Sequence, residues 1–142
     1  MRLEARRLAR RYAVALGMLA EERQLLARVE RDLEQVAALL RESDEFRYYL
    51  FNEHISAQER CAFLESIFKE EFDPLTLQFL YLVVRRHRAR YLEEIIDAYV
   101  EYANARRGVI VVRVTTAKEL DEILLRQLTE GLGKALNAQV RV

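Results

Sequence analysis

Residues 79–84 read Phe79-Leu80-Tyr81-Leu82-Val83-Val84, six apolar side chains in succession. The pair Asp73-Pro74 lies just before them and predicts where their helix begins, because aspartate caps a helix and proline suits its first position. A helix that is apolar on every side either occupies the centre of a bundle or exposes one side to a partner. The run therefore predicts a helix that must be covered all round, by its own chain or by another.

Towards the N-terminus, residues 3–20 predict a helix with two apolar faces. The larger side chains on one face and the small ones on the other recur at three-to-four spacing: Leu8, Tyr12, Ala15 or Leu16 and Leu19 on the first, and Ala5, Ala9 and Ala13 on the second. Alanine is also the best helix former, so the small face predicts either intrinsic helicity or the close approach of another helix.

Further helices fill the chain up to residue 104. Residues 22–41 carry apolar side chains at heptad spacing, which predicts core packing or a coiled-coil partner. Ser43 or Asp44 is expected to cap a short helix, and Ser56 with Glu59 forms a capping box for the next. Residues 85–90 are a basic run that we expect to be a solvated helix end. Residues 91–104 follow as an amphipathic helix. Five or six helices are thus predicted.

The composition changes at Gly108. Residues 109–115 are rich in β-branched side chains and predict a strand that is apolar on both faces. A capping box at 116–119 opens another helix, and residues 138–142 alternate as a second strand. The fold class is therefore mainly α, with a helical bundle over 1–105 and a small, incomplete strand–helix–strand α/β domain over 106–142. Two strands alone make a marginal sheet.

Composition and spacing disfavour several classes of function. The 23 basic and 23 acidic residues give zero net charge, which argues against a bulk polyanion binder. Cys61, His54 and His87 are too few and too scattered for a metal site, and no phosphate-binding loop occurs. We therefore predict no catalytic residues, no metal and no cofactor. The arginine-rich N-terminus reads as a mature helix of a bacterial-type cytoplasmic protein, and no apolar run reaches the length of a membrane span.

Four stretches in this order resemble the delta subunit of the F-type ATP synthase, the family of the oligomycin-sensitivity-conferring protein: residues 8–16 (LARRYAVAL), 79–88, 92–102 and 108–117. The resemblance covers essentially the whole chain. It implies an N-terminal six-helix bundle and a non-catalytic subunit of the peripheral stalk. Such a subunit joins the catalytic head to the membrane-anchored stalk and resists rotor torque during proton-driven ATP synthesis.

The resemblance also implies partners and a binding site. The partners are the alpha subunits of the head, with beta as a further candidate, and the b subunits of the stalk, at the cytoplasmic face of the bacterial membrane. No nucleic acid and no direct membrane insertion are expected. The N-terminal helix of an alpha subunit would lie in a groove between the first and fifth helices, at six positions: Tyr12, Ala15, Leu16, Gln78, Phe79 and Leu82. These two helices are also the ones whose apolar faces exceed what a bundle needs.

Two observations qualify this interpretation. Family members continue for several tens of residues beyond the point that corresponds to Val142, through further sheet and helix, and the resemblance implies that this region takes part in the b-subunit contact. The competing hypothesis is a small all-helical RNA-binding transcription antitermination factor, since the arginines of residues 6–11 and 85–90 could form basic patches with Tyr91 available for stacking. The zero net charge and the strand at residues 109–114 argue against it.

Overall fold

The computed structural model describes the backbone of residues 3–111 and 139–141, with side chains over residues 3–108. Six α-helices and one 3-10 turn account for most of the first range. They are α1 (Leu3–Glu22), α2 (Leu26–Glu42), α3 (Asp44–Phe51), α4 (Ala57–Phe68), α5 (Pro74–Arg85), the 3-10 turn (Ala89–Tyr91) and α6 (Leu92–Arg106). The six predicted helices of the bundle are confirmed.

The core of the bundle is built around α2. Its heptad positions Val29, Leu33, Val36 and Leu40 are at most 1% exposed. Tyr99 of α6 is fully buried, and its hydroxyl donates to the carbonyl oxygen of Leu26 at 2.7 Å, so that α6 is hydrogen-bonded to the start of α2. The heptad pattern therefore reflects packing within this chain.

The boundary between α1 and α2 differs from the predicted one. The prediction started the second helix at residue 22, but α1 continues through Glu22 and α2 begins only at Leu26. Gln24 adopts a left-handed conformation with φ 60°, a backbone geometry that ends a helix. A non-glycine residue rarely adopts it, so the sequence carried no signal for the turn.

The starts of α3, α4 and α5 follow their capping residues. Ser43, rather than Asp44, caps α3 by accepting from the amide of Phe46 at 3.1 Å. Ser56 caps α4 by accepting from the amide of Glu59 at 3.1 Å, and Asp73 caps α5 by accepting from that of Leu75 at 2.9 Å. Pro74 occupies the first turn of α5 as predicted.

The basic run at residues 85–90 is only partly a solvated helix end, so this expectation was wrong in part. α5 ends at Arg85, and His87 takes a left-handed conformation with φ 59°. The chain then turns inward, where Ala89 is 4% exposed and Arg88 is half-buried. The turn redirects the backbone into α6, which extends to Arg106, two residues beyond the predicted end.

The chain divides into two compact units, residues 1–103 and 104–142. In the second unit, β1 (Val109–Val111) pairs in parallel with β2 (Gln139–Arg141), with Ile110 opposite Val140. These are parts of the two predicted strands. The predicted helix between them lies outside the described residues, and the predicted domain boundary after residue 105 stays a prediction.

Candidate functional site

An apolar groove runs between α1 and α5 and encloses about 470 Å³. We call it the α1–α5 groove. Ten residues line it: Arg11, Tyr12, Ala15, Leu16 and Leu19 from α1, and Leu75, Gln78, Phe79, Leu82 and Arg86 from α5 and its C-cap. Its lining is mostly apolar. A cleft of this volume with such a lining can bind the apolar surface of another molecule.

All six positions that the sequence singled out lie along this groove. Tyr12 and Phe79 make an edge-to-face ring contact across it, with centroids 6.4 Å apart and planes at 70°. Leu16 and Phe79 are nearly buried, at 3% and 7% exposed, whereas Leu82 is 41% exposed. The groove thus has a packed floor and an apolar rim that is open to solvent.

The wall formed by α1 contacts α6 at Gly17, which lies on its side of small, buried residues. Ala9, Ala13, Gly17 and Ala20 form the buried side of α1. A side chain at Gly17 would overlap the ring of Tyr102, so the missing Cβ permits the close approach. The alanine face therefore packs inside the bundle, and the opposite face, with Tyr12 and Leu19, is left for the groove.

The wall formed by α5 is anchored by a buried carboxylate from α2. Asp32, 2% exposed, accepts from the backbone amide of Asp73 at 3.0 Å and from the hydroxyl of Thr76 at 2.8 Å. Arg28 donates through Nε to Asp32 at 3.2 Å and through Nη2 to the carbonyl oxygen of Glu71 at 2.8 Å. These bonds fix the first turn of α5 against α2.

Among residues 3–108, two arginines and no carboxylates border the groove. Arg11 and Arg86 are exposed and lie among its lining residues. A partner with acidic groups beside an apolar stripe would therefore find favourable charge at the rim. Exposed pairs of this kind contribute only about 0–1 kcal/mol each, so the apolar floor dominates the affinity that the groove offers.

The described residues do not assemble a reactive centre. No group of three or more metal-binding side chains occurs among them. Cys61 is buried, and burial raises the pKa of its thiol, an effect that the nearby Arg85 only partly offsets. A thiol with a raised pKa is a poor nucleophile at neutral pH.

Sequence reasoning missed some of the groove and most of its support. Arg11, Leu75 and Arg86 line the groove without having been singled out. Asp32 and Thr76 are 44 positions apart, and no local pattern signals that they will meet. Leu19 was placed on the correct face of α1 by its helical spacing, which is the one signal that could have extended the list.

Comparison with known proteins decides the family. The sequence model of the ATP synthase delta (OSCP) subunit matches residues 8–142. The chain belongs to this family. An ATP synthase subunit delta from Symbiobacterium thermophilum is 36% identical over 138 residues, which cover 94% of this chain and 74% of the relative. The subunit delta of Desulforudis audaxviator is 33% identical, covering 94% of this chain and 76% of the relative.

The structural comparison agrees. A chain of the mitochondrial ATP synthase hexamer of Toxoplasma gondii, solved by cryo-EM, superposes with a TM-score of 0.73 at 31% identity. The match covers 94% of this chain and 75% of that one. This member of the delta family is thus a structural, non-catalytic subunit of an ATP synthase. The RNA-binding alternative finds no support in these matches. None of the helices in residues 3–106 has the length and hydropathy needed to cross a membrane.

Proposed function

We propose that this chain is a peripheral-stalk subunit that holds the N-terminal helix of an alpha subunit in the α1–α5 groove. The observation that carries the proposal is the groove itself, which is apolar and lined by all six positions expected to contact that helix. An amphipathic helix that lays its apolar face into such a groove is a common recognition mode.

The remaining parts of the proposal concern the other end of the linkage. Residues 106–142 would form part of a small α/β domain that engages the b subunits, with β1 and β2 as its first paired strands. The complex would place the chain at the cytoplasmic face of a bacterial membrane during proton-driven ATP synthesis. There it would resist the torque of the rotor. The beta subunit would be a further contact in the catalytic head.

A linker under sustained torque needs affinity from buried apolar area. Burying a leucine or phenylalanine contributes about 1.5–3 kcal/mol, several times the contribution of an exposed ion pair. Leu82 is 41% exposed and is available to supply such burial when a partner helix covers it. The affinity should therefore change little with salt concentration. Any salt dependence should come from ion pairs that the partner makes with Arg11 and Arg86.

The test is calorimetric titration of the chain with a peptide of the N-terminal helix of the alpha subunit from the same genome. Leu82→Asp and Ala15→Glu should each weaken binding by at least about a hundredfold, because each replaces an apolar contact with a carboxylate that the partner helix must strip of water. Far-ultraviolet circular dichroism should be unchanged, since Leu82 and Ala15 are not core residues.

Tyr48→Asp is the matched control. Tyr48 lies on α3, is 59% exposed and is not among the residues that line the groove. It should bind the peptide as the unaltered chain does. Normal binding by Leu82→Asp would show that the partner helix lies elsewhere, and no binding by the unaltered, folded chain would remove the proposed function.

A further inference from the structure

A second cavity lies on the bundle where the end of α3, the start of α4 and the 3-10 turn meet. It encloses about 470 Å³, and we call it the basic pocket. Its polar lining consists of Arg60, His87, Arg88, Arg90, Ser56 and Glu53, and its apolar lining includes Leu50, Phe51 and Ile55. Of the described residues, three arginines and one carboxylate line the pocket, so it carries an excess of positive charge.

Arg60 is the deepest of these arginines, at 7% exposed. Its Nη2 donates to the carbonyl oxygen of Asn52, while its Nε is buried and has no hydrogen-bond partner among residues 3–108. No ion pair of Arg60 occurs within the described part of the chain. A buried guanidinium with an unsatisfied donor and no counter-charge is costly, so an acceptor supplied to it would stabilise the folded chain.

Arg88 repeats this situation among the lining residues of the same pocket. It is half-buried, its Nε is also buried without a hydrogen-bond partner, and it too lacks an ion pair in the described residues. Glu94 has an unpartnered buried oxygen as well, but it does not line the pocket. Two arginines with unsatisfied donors therefore converge on one cavity from different elements.

The start of α4 adds to the same potential. Ser56 caps the helix through its hydroxyl, which leaves the amide of Ala57 in the first turn without a partner inside the helix. The positive end of the helix dipole lies there, where anions bind favourably. The backbone at His87, held at φ 59°, turns the chain so that Arg88 and Arg90 reach this end of α4.

We propose that the basic pocket binds a phosphate group between Arg60, Arg88 and the first turn of α4. Phosphate oxygens accept forked hydrogen bonds from arginine, and both arginines have donors to spare. The pocket is larger than a phosphate ion, and its apolar lining offers contact to an organic group. Inorganic phosphate and a phosphate monoester are thus two sources of one ligand chemistry.

The test is an NMR titration of the whole chain in which inorganic phosphate replaces chloride at constant ionic strength. It follows the resonances of the backbone amides and of the arginine Nε–H groups. Saturable shifts at Ala57, Arg60 and Arg88 are expected. Arg88→Gln should weaken phosphate binding at least about tenfold, because a charge-assisted forked contact is lost. This variant is preferred to one at Arg60, since Arg60 is nine-tenths buried and its loss threatens folding.

Arg41→Gln is the matched control, because Arg41 is an exposed arginine of α2 outside the pocket. It should bind phosphate as the unaltered chain does. Shifts that do not saturate, or that are the same in Arg88→Gln as in Arg41→Gln, would overturn the proposal and indicate general screening. Tighter binding of glycerol phosphate than of inorganic phosphate would assign the pocket to an ester, and equal binding would assign it to the free ion.

Discussion

Gly17 is the residue of α1 whose missing side chain matters most. Glycine inside a helix destabilises it by about 0.5–1 kcal/mol relative to alanine. At this position, however, an added Cβ would overlap the ring of Tyr102 in α6. Since the hydroxyl of Tyr102 also donates to Glu21 at 3.3 Å, the ring cannot move without disturbing that bond. Close packing here outweighs the helix propensity of alanine.

We therefore expect Gly17→Ala to lower the free energy of unfolding by about 1–3 kcal/mol, the usual cost of overpacking. Urea denaturation followed by circular dichroism would measure it. Combining Gly17→Ala with Tyr102→Leu should relieve the overlap, so the two changes together should cost less than the sum of each alone. An increase in stability on Gly17→Ala would mean that helix propensity alone governs this position.

Among the secondary-structure elements, α5 depends on α2 for its direction. The carboxylate of Asp32 accepts from the amide of Asp73 and from the hydroxyl of Thr76, both in the buried junction where α5 begins. Because α5 forms one wall of the α1–α5 groove, this junction sets where that wall starts.

Replacing Asp32 by alanine should therefore destabilise the bundle and also weaken peptide binding in the groove. Asp32 accepts from two such donors, and each buried donor left without an acceptor costs about 1–3 kcal/mol, so we expect a loss of about 2–6 kcal/mol. Asp32→Asn keeps one acceptor oxygen and should lose less. Glu42→Ala, at an exposed acidic position of the same helix, should stay within about 0.5 kcal/mol. Equal stability of Asp32→Ala and Glu42→Ala would contradict the anchoring role.

Helix starts were easier to predict from the sequence than the turns between helices. Ser56 and Asp73 cap through side chains that act within three residues, so their effect is visible in the local sequence. Gln24 and His87 reverse the chain through left-handed backbone geometry, although neither is glycine or asparagine. Their conformations are imposed by the packing of the helices on either side, which a local pattern does not contain.

For the molecule as a whole, the division into two units separates the α1–α5 groove from the strands. Every lining residue of the groove falls between positions 11 and 86, and α6 closes the bundle by Arg106. We expect a chain ending after Arg106 to fold, because the buried contacts among the six helices are kept. Its dissociation constant for the alpha-subunit peptide should lie within about threefold of that of the full chain. Calorimetry would measure this. A loss of binding in the shortened, folded chain would assign part of the site to the second unit.

The residues on the two walls of the candidate site were predictable from the sequence, but the groove between the walls was not. Helical spacing placed Tyr12 and Leu19 on one face of α1, and the apolar run placed Phe79 and Leu82 on α5. That the two faces enclose a groove depends on Asp32 and Gly17, whose partners lie 44 and 85 positions away. The basic pocket was harder still, because its arginines come from separate segments and only the fold brings them together.

The two walls of the α1–α5 groove have a common property: each is fixed by buried contacts that exist before any partner arrives. Tyr102 packs on α1 at Gly17, and Asp32 holds the start of α5. A preformed slot loses little conformational entropy on association, so that cost falls on the incoming segment alone. A segment that is already helical when free should therefore bind more tightly than a disordered one with the same apolar side chains.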